Sequence, residues 1–490
     1  MLPSQFLLSR VAWASGLVLA GSALLGCSAG PTLVAAEASP AQAAQAVTAA
    51  NTLVLSDQPR YQVSPYPERI TLLPGAAASS SAQVTWRTNS SVTESLLQLA
   101  VATPSPGLHM QAKQLIGRSI KLNSPNGEAH HHRVQLSQLQ PDTLYAYRVK
   151  GLNTWSSWHQ FKTPAADFKP YTALYFGDAQ NAVLSHYART VREALLTAPR
   201  AKVMLYAGDL VNSRDGVHDD EWAEWFAATS WMAGSIYQLP AAGNHEFSSD
   251  DDQPIRYLLP HWVAHYEVAG NGPEALSDTV YYSDVQGVRY IALDSTEALQ
   301  SEQLAQVQAQ WLEQVLANNP NRWTVVFHHH PMHSVSMGRD NPPLRKYWQP
   351  LYDKYQVDLV LQGHDHTYGR DHQAASATAT DSQGPVYAVS VAGPKMYLVS
   401  EQAQATMDRL GEDTQLFQTL EFHQDRVKYQ AFTATGELYD AFVLHKTAAG
   451  KQVEDLQPTT AERRCSNPNK PKPHRCWNGT DLIHAPAAAQ

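Results

Sequence analysis

Five short clusters in this chain combine side chains that bind metal ions. They are Gly177-Asp178, Gly208-Asp209, Gly243-Asn244-His245-Glu246, His328-His329-His330-Pro331 and Gly363-His364-Asp365-His366. Carboxylate, amide oxygen and imidazole together suit zinc, manganese or iron, whereas calcium takes oxygen ligands. Taken singly each cluster is a weak signal, because Gly-Asp after a strand is a common turn and a lone His-x-His is often structural. Five in succession, each capping an apolar run, point to one shared site. Glycine ahead of the polar residue lets the chain turn sharply, so the next side chain can enter a common cleft. A His-x-His pair on an irregular loop can reach two adjacent ions. Two cations roughly 3.5–4 Å apart clamp the attacking and leaving oxygens of an in-line displacement, and bound water is acidified toward a pKa of about 7. Such chemistry needs no serine or cysteine nucleophile, and no strong nucleophile-elbow signature is present.

The apolar runs that must position these residues read as strands. Residues 172–176, 203–207, 238–242, 288–293, 323–327 and 357–361 are apolar and end at or next to polar residues, while 183–198 and 302–318 have helical spacing. Strands buried on both faces and alternating with helices predict an α/β domain, a class that places its chemistry at the carboxyl ends of its strands. Residues 418–422, 426–432 and 437–445 are strand-like and are expected to complete a second sheet. Ahead of this region, residues 60–165 carry short period-2 segments separated by turn clusters at 123–127 and 140–142, which predicts an all-β antiparallel sandwich. Trp86 and Tyr147 are expected in its core. The triplet His130-His131-His132 could bind a metal, but adjacent strand residues point to opposite faces, so a solvated strand face is the expectation.

The order GD, GDxx, GNHE, VxxH, GHxH resembles the calcineurin-like metallophosphoesterases and, within them, the purple acid phosphatases. The stretch Leu139-Gln140-Pro141-Asp142-Thr143-Leu144-Tyr145 resembles a corner common in fibronectin type III-like domains, which precede the catalytic domain in that family. The resemblance covers about 60–446. It implies a fibronectin type III-like sandwich at 60–165, then an α/β metallophosphoesterase domain at 170–446 with a two-sheet β-sandwich core flanked by helices. It further implies two metal ions (Fe, Zn or Mn). Asp178 and His366 would hold the first, Asp209 would bridge, and Asn244, His329 and His364 would hold the second. His245 would contact the phosphate and help protonate the leaving alkoxide. His333, with His330 as the alternative, would add a substrate contact, and His328 would pack behind its strand. The chain departs from the family pattern in two places. Purple members have Gly-Asp-x-x-Tyr, whereas this chain has Gly208-Asp209-Leu210-Val211-Asn212; many other metallophosphoesterases have Asp-x-His, whereas this chain has Asp178-Ala179-Gln180. Gln180 and Asn212 could supply amide oxygens or hydrogen-bond a bound water.

Composition narrows the partners. The chain has 490 residues, 43% hydrophobic, with a formal charge of −9 and 21 histidines. No basic stripe is present, which argues against nucleic acid. Arg10 precedes an apolar run over 11–26 that is shorter than the roughly 20 residues a spanning helix needs. The run ends in Leu24-Leu25-Gly26-Cys27, which resembles a lipobox, so residues 1–27 read as a lipoprotein signal peptide and ordinary signal peptidase cleavage is the alternative. Residues 28–58 form a flexible tether, and 447–490 a tail in which Cys465 and Cys476 are expected to form a disulfide. These features predict an exported, lipid-anchored protein facing the periplasm or cell exterior. The predicted activity is hydrolysis of a small phosphate ester, as a phosphomonoesterase of the acid phosphatase type using a metal-bound hydroxide. The alternatives are a phosphodiesterase of nucleotides or lipid headgroups, and a surface binding protein with a degenerate metal site. Because Asn212 cannot form a tyrosinate–iron bond, the purified protein is expected to be colourless. A visible tyrosinate charge-transfer band in its absorption spectrum would contradict this.

Overall fold

Alternating residues between 68 and 162 pair into two four-stranded antiparallel sheets. One has the order Arg118–Ser124, Gly127–Leu136, Ala82–Asn89, Glu68–Pro74, and the other Lys113–Ile116, Leu96–Val101, Leu144–Val149, His159–Lys162. The computed structural model describes residues 61–213, 217–248, 255–372, 384–447, 450–456 and 458–465. Trp86 and Tyr147 lie in the core, at 1% and 0% exposure. Tyr145 folds back so that its hydroxyl accepts from the Gln140 backbone N–H at 2.8 Å, the tyrosine corner of sandwich domains.

The second region contains two seven-stranded sheets. The first has the order Tyr237–Pro240, Val203–Tyr206, Tyr171–Phe176, Leu416–Phe422, Arg426–Thr433, Leu438–Thr447, Gly450–Asp455. Its first three strands are parallel and the rest antiparallel. The second has the order Tyr281–Val285, Val288–Ala292, Trp323–Phe327, Leu359–Gln362, Val386–Val389, Tyr368–Asp371, Arg409–Gly411, with a parallel centre. The strands at 416–447 therefore extend the first sheet instead of completing the second, because Leu416–Phe422 pairs directly with Tyr171–Phe176. Gly450–Asp455, in the region expected to be tail, closes the same sheet. Helices such as Ala188–Thr197 and Glu302–Ala317 lie outside the strands; a short π-helix at Val183–Tyr187 leads into the former. The Glu302–Ala317 helix starts where the Ser301 side chain accepts from Leu304 N–H, a standard N-cap.

The two regions are joined over a broad polar face. Thr85 Oγ1 donates to His265 O at 2.7 Å, and Leu72 N to Ala233 O at 2.7 Å. At the centre of the junction, Asp219 receives Arg69 at 2.8 Å, both oxygens receive Arg87 at 2.9 and 2.8 Å, and Asn126 adds a bond of 2.8 Å. The histidine triplet is buried here and does not face solvent. His132 stacks on Trp86 at 4.9 Å and bonds Ser95 Oγ at 2.9 Å, while His131 meets His265 at 4.8 Å. Both faces of its strand are covered, one by the sandwich core and the other by the second region.

Residues 1–27 with Cys27, the tether 28–58 and Cys476 lie outside the described residues. Cys465 is disulfide-bonded. Among the described residues, no helix is long and apolar enough to cross a membrane.

Burial alone would raise the Asp219 carboxyl, but Arg69 and Arg87 hold it well below the usual carboxylate range. Its stabilisation is therefore present above about pH 3.9 and is lost only in strong acid. Asp219→Ala would leave the buried Arg69 guanidinium without a carboxylate and Arg87 with Glu68 alone, and breaking a buried pair in this way typically costs about 3–5 kcal/mol. The expected outcome is a clearly lowered melting temperature at neutral pH in a calorimetric scan.

Candidate metal centre

Each expected ligand sits just past a strand end, where two sheets meet. Asp178 follows Tyr171–Phe176 and Asp209 follows Val203–Tyr206 in the first sheet; His329 follows Trp323–Phe327 and His364 follows Leu359–Gln362 in the second. The sheets are stitched together at this line. Asp178 Oδ1 accepts from His364 N–H at 2.6 Å, Asp178 O accepts from Gly393 N–H at 2.7 Å, and Tyr175 Oη accepts from Gln362 N–H at 3.0 Å.

Glycine serves this line in two different ways. Gly208 has φ +87°, the turn expected from sequence. Gly363 does not have positive φ; a Cβ there would lie 2.2 Å from Asp178 Oδ1, so its role is close approach. The left-handed conformations fall instead on the ligands themselves: Asp209 at φ 50°, His364 at 71° and His366 at 46°. Each costs about 1–2 kcal/mol for a residue with a Cβ, strain that clusters at functional sites.

Single donor atoms of Asp178, Asp209 and His366 lie within 4.8 Å of one another, and so do those of His329, His330 and His364. Asp178 Oδ2 is 3.2 Å from His366 Nε2, and Asp209 Oδ2 is 3.1 Å from His329 Nε2. His329 Nε2 is also 3.1 Å from Asn244 Oδ1 and 3.1 Å from His364 Nδ1. Nitrogen atoms this close, with no hydrogen between two neutral lone pairs, need a cation or a proton to hold them together. Backbone carbonyls fix the rings: His329 Nδ1 donates to Ala207 O at 2.8 Å and His366 Nδ1 to Lys395 O at 2.9 Å, a common arrangement for metal-ligating imidazoles. Asp178 Oδ2 and Gln180 Oε1 are buried acceptors without a hydrogen-bond partner, as a bound cation would require. All six expected ligands thus converge, and the donor chemistry fits two metal ions.

Charge at the centre is finely balanced. Burial pushes Asp178 up to about 7. Burial would also raise Asp209, yet His329 and His245 hold it well below the carboxylate range. Burial opposes charge on His329, but Asp209 and Asp178 carry it up to about 9. Burial keeps His364 and His366 neutral, with lone pairs available.

Glu246 braces the centre from behind. Its carboxylate accepts from Asp209 N–H at 2.9 Å, Leu210 N–H at 2.9 Å and Gly243 N–H at 2.7 Å, locking the Asp209 loop to the Asn244 loop. His245 lies beside the ligands, its Nδ1 bonded to Asn212 O and its Nε2 3.8 Å from Asp209 Oδ2. A cleft of about 590 Å³ opens over the centre, lined in part by Asn212, His245, His330, Arg256, Arg339 and Lys395.

His330, not His333, faces this cleft. The chain after Pro331 folds back, with Asn341 Nδ2 donating to Pro331 O at 2.8 Å, and the His333 ring packs edge-on against Tyr387 at 5.3 Å. His328 packs behind its strand against Trp348 at 5.2 Å, as expected. Sequence reasoning missed Arg256, Arg339, Lys395 and Tyr397. Tyr397 packs at a tilt against His366, with ring centroids 4.7 Å apart, and lies under Arg339 at 4.9 Å. Lys395 and Tyr397 follow the strand Val386–Val389, so the strand-end rule applied once more would have found them.

Residues 67–163 match the description "Purple acid Phosphatase, N-terminal domain", and residues 172–368 match "Calcineurin-like phosphoesterase". An uncharacterized protein of Mycobacterium tuberculosis is 28% identical over 64% of this chain and 63% of its own length. Purple acid phosphatase 21 of Arabidopsis thaliana is 30% identical over 54% of this chain and 57% of its own length. The chain thus spans about six-tenths of these relatives. The structure of a purple acid phosphatase from yellow lupin superposes with a TM-score of 0.62 at 17% identity, covering 78% of this chain and 75% of the other, which shows a shared fold.

A cation entering the centre must displace the His329 proton, so affinity rises with pH below about 9. Competition titration with zinc is expected to show binding that tightens about tenfold per pH unit, or more, between roughly pH 6 and 8. An affinity independent of pH would contradict this assignment of charge.

Proposed function

We propose that this chain, which belongs to the calcineurin-like phosphoesterases and carries the purple acid phosphatase N-terminal domain, hydrolyses phosphate monoesters with two bound metal ions. The observation that carries the reading is the convergence of two donor sets, around Asp178 and around His329, at one cleft. Two cations here would activate water and neutralise charge on the phosphoryl oxygens. The protein's own groups supply the rest. Asp209 lies between the two donor sets and can serve both. His245, held by Asn212 O, is placed to protonate the leaving oxygen. Arg256, Arg339 and Lys395 line the cleft and favour an anionic substrate. The sandwich, fused through Asp219, acts as a brace for the catalytic region. Metal identity is drawn from Fe, Zn and Mn on donor chemistry. The apolar run ending at Cys27 supports export to the periplasm or cell exterior with a lipid anchor.

A monoesterase is favoured over a diesterase by the cationic lining, which suits the dianion of a monoester; a binding protein with a degenerate site is disfavoured by the convergence of all six expected ligands. Rates on a mono-aryl and a bis-aryl phosphate ester test this, with the monoester expected to be cleaved faster. Asp209→Ala is expected to abolish hydrolysis; unchanged turnover in that variant would remove the proposal. His245→Asn is expected to retain both metals and to lower kcat by about 10²–10⁴-fold, the usual contribution of a general acid.

A further inference from the structure

Among the described residues, the first donor set brings together three carboxylate and imidazole groups: Asp178, Asp209 and His366. A transition metal of the zinc type takes at least four ligands. Two amide side chains, Gln180 and Asn212, stand near the set, and the structure distinguishes between them. Asn212 lines the open cleft and its backbone oxygen serves His245. Gln180 is 1% exposed and reaches into the donor set itself. Its carboxamide Nε2 lies 2.9 Å from Asp209 Oδ2 and 3.0 Å from His366 Nε2. Those are two of the atoms whose lone pairs must point at the cation. Distances near 3 Å between neighbouring atoms are what adjacent ligands of one ion show, given metal–ligand bonds of about 2.0–2.2 Å.

The other end of the same amide, Oε1, is buried without a hydrogen-bond partner, and so is Asp178 Oδ2. Half a turn of the carboxamide exchanges Nε2 and Oε1 with no change of shape. It aims the oxygen at the donor set and relieves the orphaned acceptor. The backbone supports this placement: Gln180 N–H donates to Asp209 O at 3.1 Å, so the residue is tied to the loop bearing the bridging carboxylate.

We infer that Gln180 is a ligand of the first metal ion through its carboxamide oxygen, completing the set of Asp178, Asp209 and His366. The inference rests on the two-metal reading of the site. It also specifies the ion. The set offers two carboxylates, one of them shared with the second donor set, and a neutral amide oxygen adds no further negative charge to hold a trivalent ion. The first site is therefore a divalent one, taking zinc, manganese or ferrous iron.

The test is zinc binding by the full-length protein under a competing chelator, with cobalt absorption as a second readout; neither depends on turnover. Wild type is expected to bind two equivalents. Gln180→Leu, which keeps the side chain's bulk, and Gln180→Ala are expected to keep one tight equivalent and to weaken the other by at least about tenfold, with loss of intensity from one cobalt site. The retained tight equivalent reports that each variant is folded. Gln180→Glu, which keeps the oxygen and cannot donate a hydrogen bond, is expected to restore two tight equivalents. Two unweakened equivalents in Gln180→Leu and Gln180→Ala would overturn the inference. So would a Gln180→Glu variant as weak as Gln180→Leu, because the amide would then act by donating to Asp209. Fewer than two equivalents in wild type would overturn the two-metal reading itself, an outcome distinct from either.

Discussion

Two carboxylates, Asp178 and Asp209, are buried side by side at the line where the sheets meet, at 0% and 1% exposure. Unpaired charge in such a place is costly, by several kcal/mol per ion even after relaxation. Everything near the line answers to that constraint. His329 carries positive charge between the two carboxylates, backbone N–H groups of His364 and His245 donate to them, and Glu246 holds the loop of one from behind. The remaining acceptors, Asp178 Oδ2 and Gln180 Oε1, have only a cation to satisfy them. The site is thus a cavity for positive charge, built in advance of the ions.

Building it requires rigidity, because like-charged groups held near one another repel until the cations arrive. Parallel strands from both sheets deliver the ligands on short loops. Hydrogen bonds between the two strand-end lines, such as Gly393 N–H to Asp178 O, keep the loops from separating. Three ligands adopt left-handed backbone conformations that side chains ordinarily avoid. Packing of the core, which is continuous from Leu72 in the sandwich to Leu444 in the first sheet, holds this strain. The sandwich contributes through Asp219, which neutralises Arg69 and Arg87 at the junction. A domain readable as a separate module is in that respect part of one body with the second region.

Strand ends were legible from sequence because apolar runs with polar caps are a local pattern. Which strands pair was not, since pairing depends on residues far apart in the chain. Leu416–Phe422 lies beside Tyr171–Phe176, some 240 positions earlier, and nothing local in either segment names the other. The histidine triplet misled for the same reason. Alternation correctly places His131 and His132 on opposite faces, but only the docking of the second region shows that both faces are covered. His330 and His333 are equally plausible neighbours of a metal in sequence, and the fold-back after Pro331 separates them.

Residue type and spacing were enough for the ligand inventory: which donor atoms exist, in what order, and that a tyrosine is missing at Asn212. Those are properties of residue type and spacing, and they survive translation into three dimensions intact. Tertiary structure alone decided the roles that depend on distance and direction. It turned the glycine at 363 from an expected hinge into a point of close approach, made Glu246 a bracket for three backbone amides, and brought Arg339, Lys395 and Tyr397 over the centre. It also chose Gln180 over Asn212, because two amides of similar chemistry differ only in where the chain carries them, and a metal ion reads position to within a few tenths of an ångström.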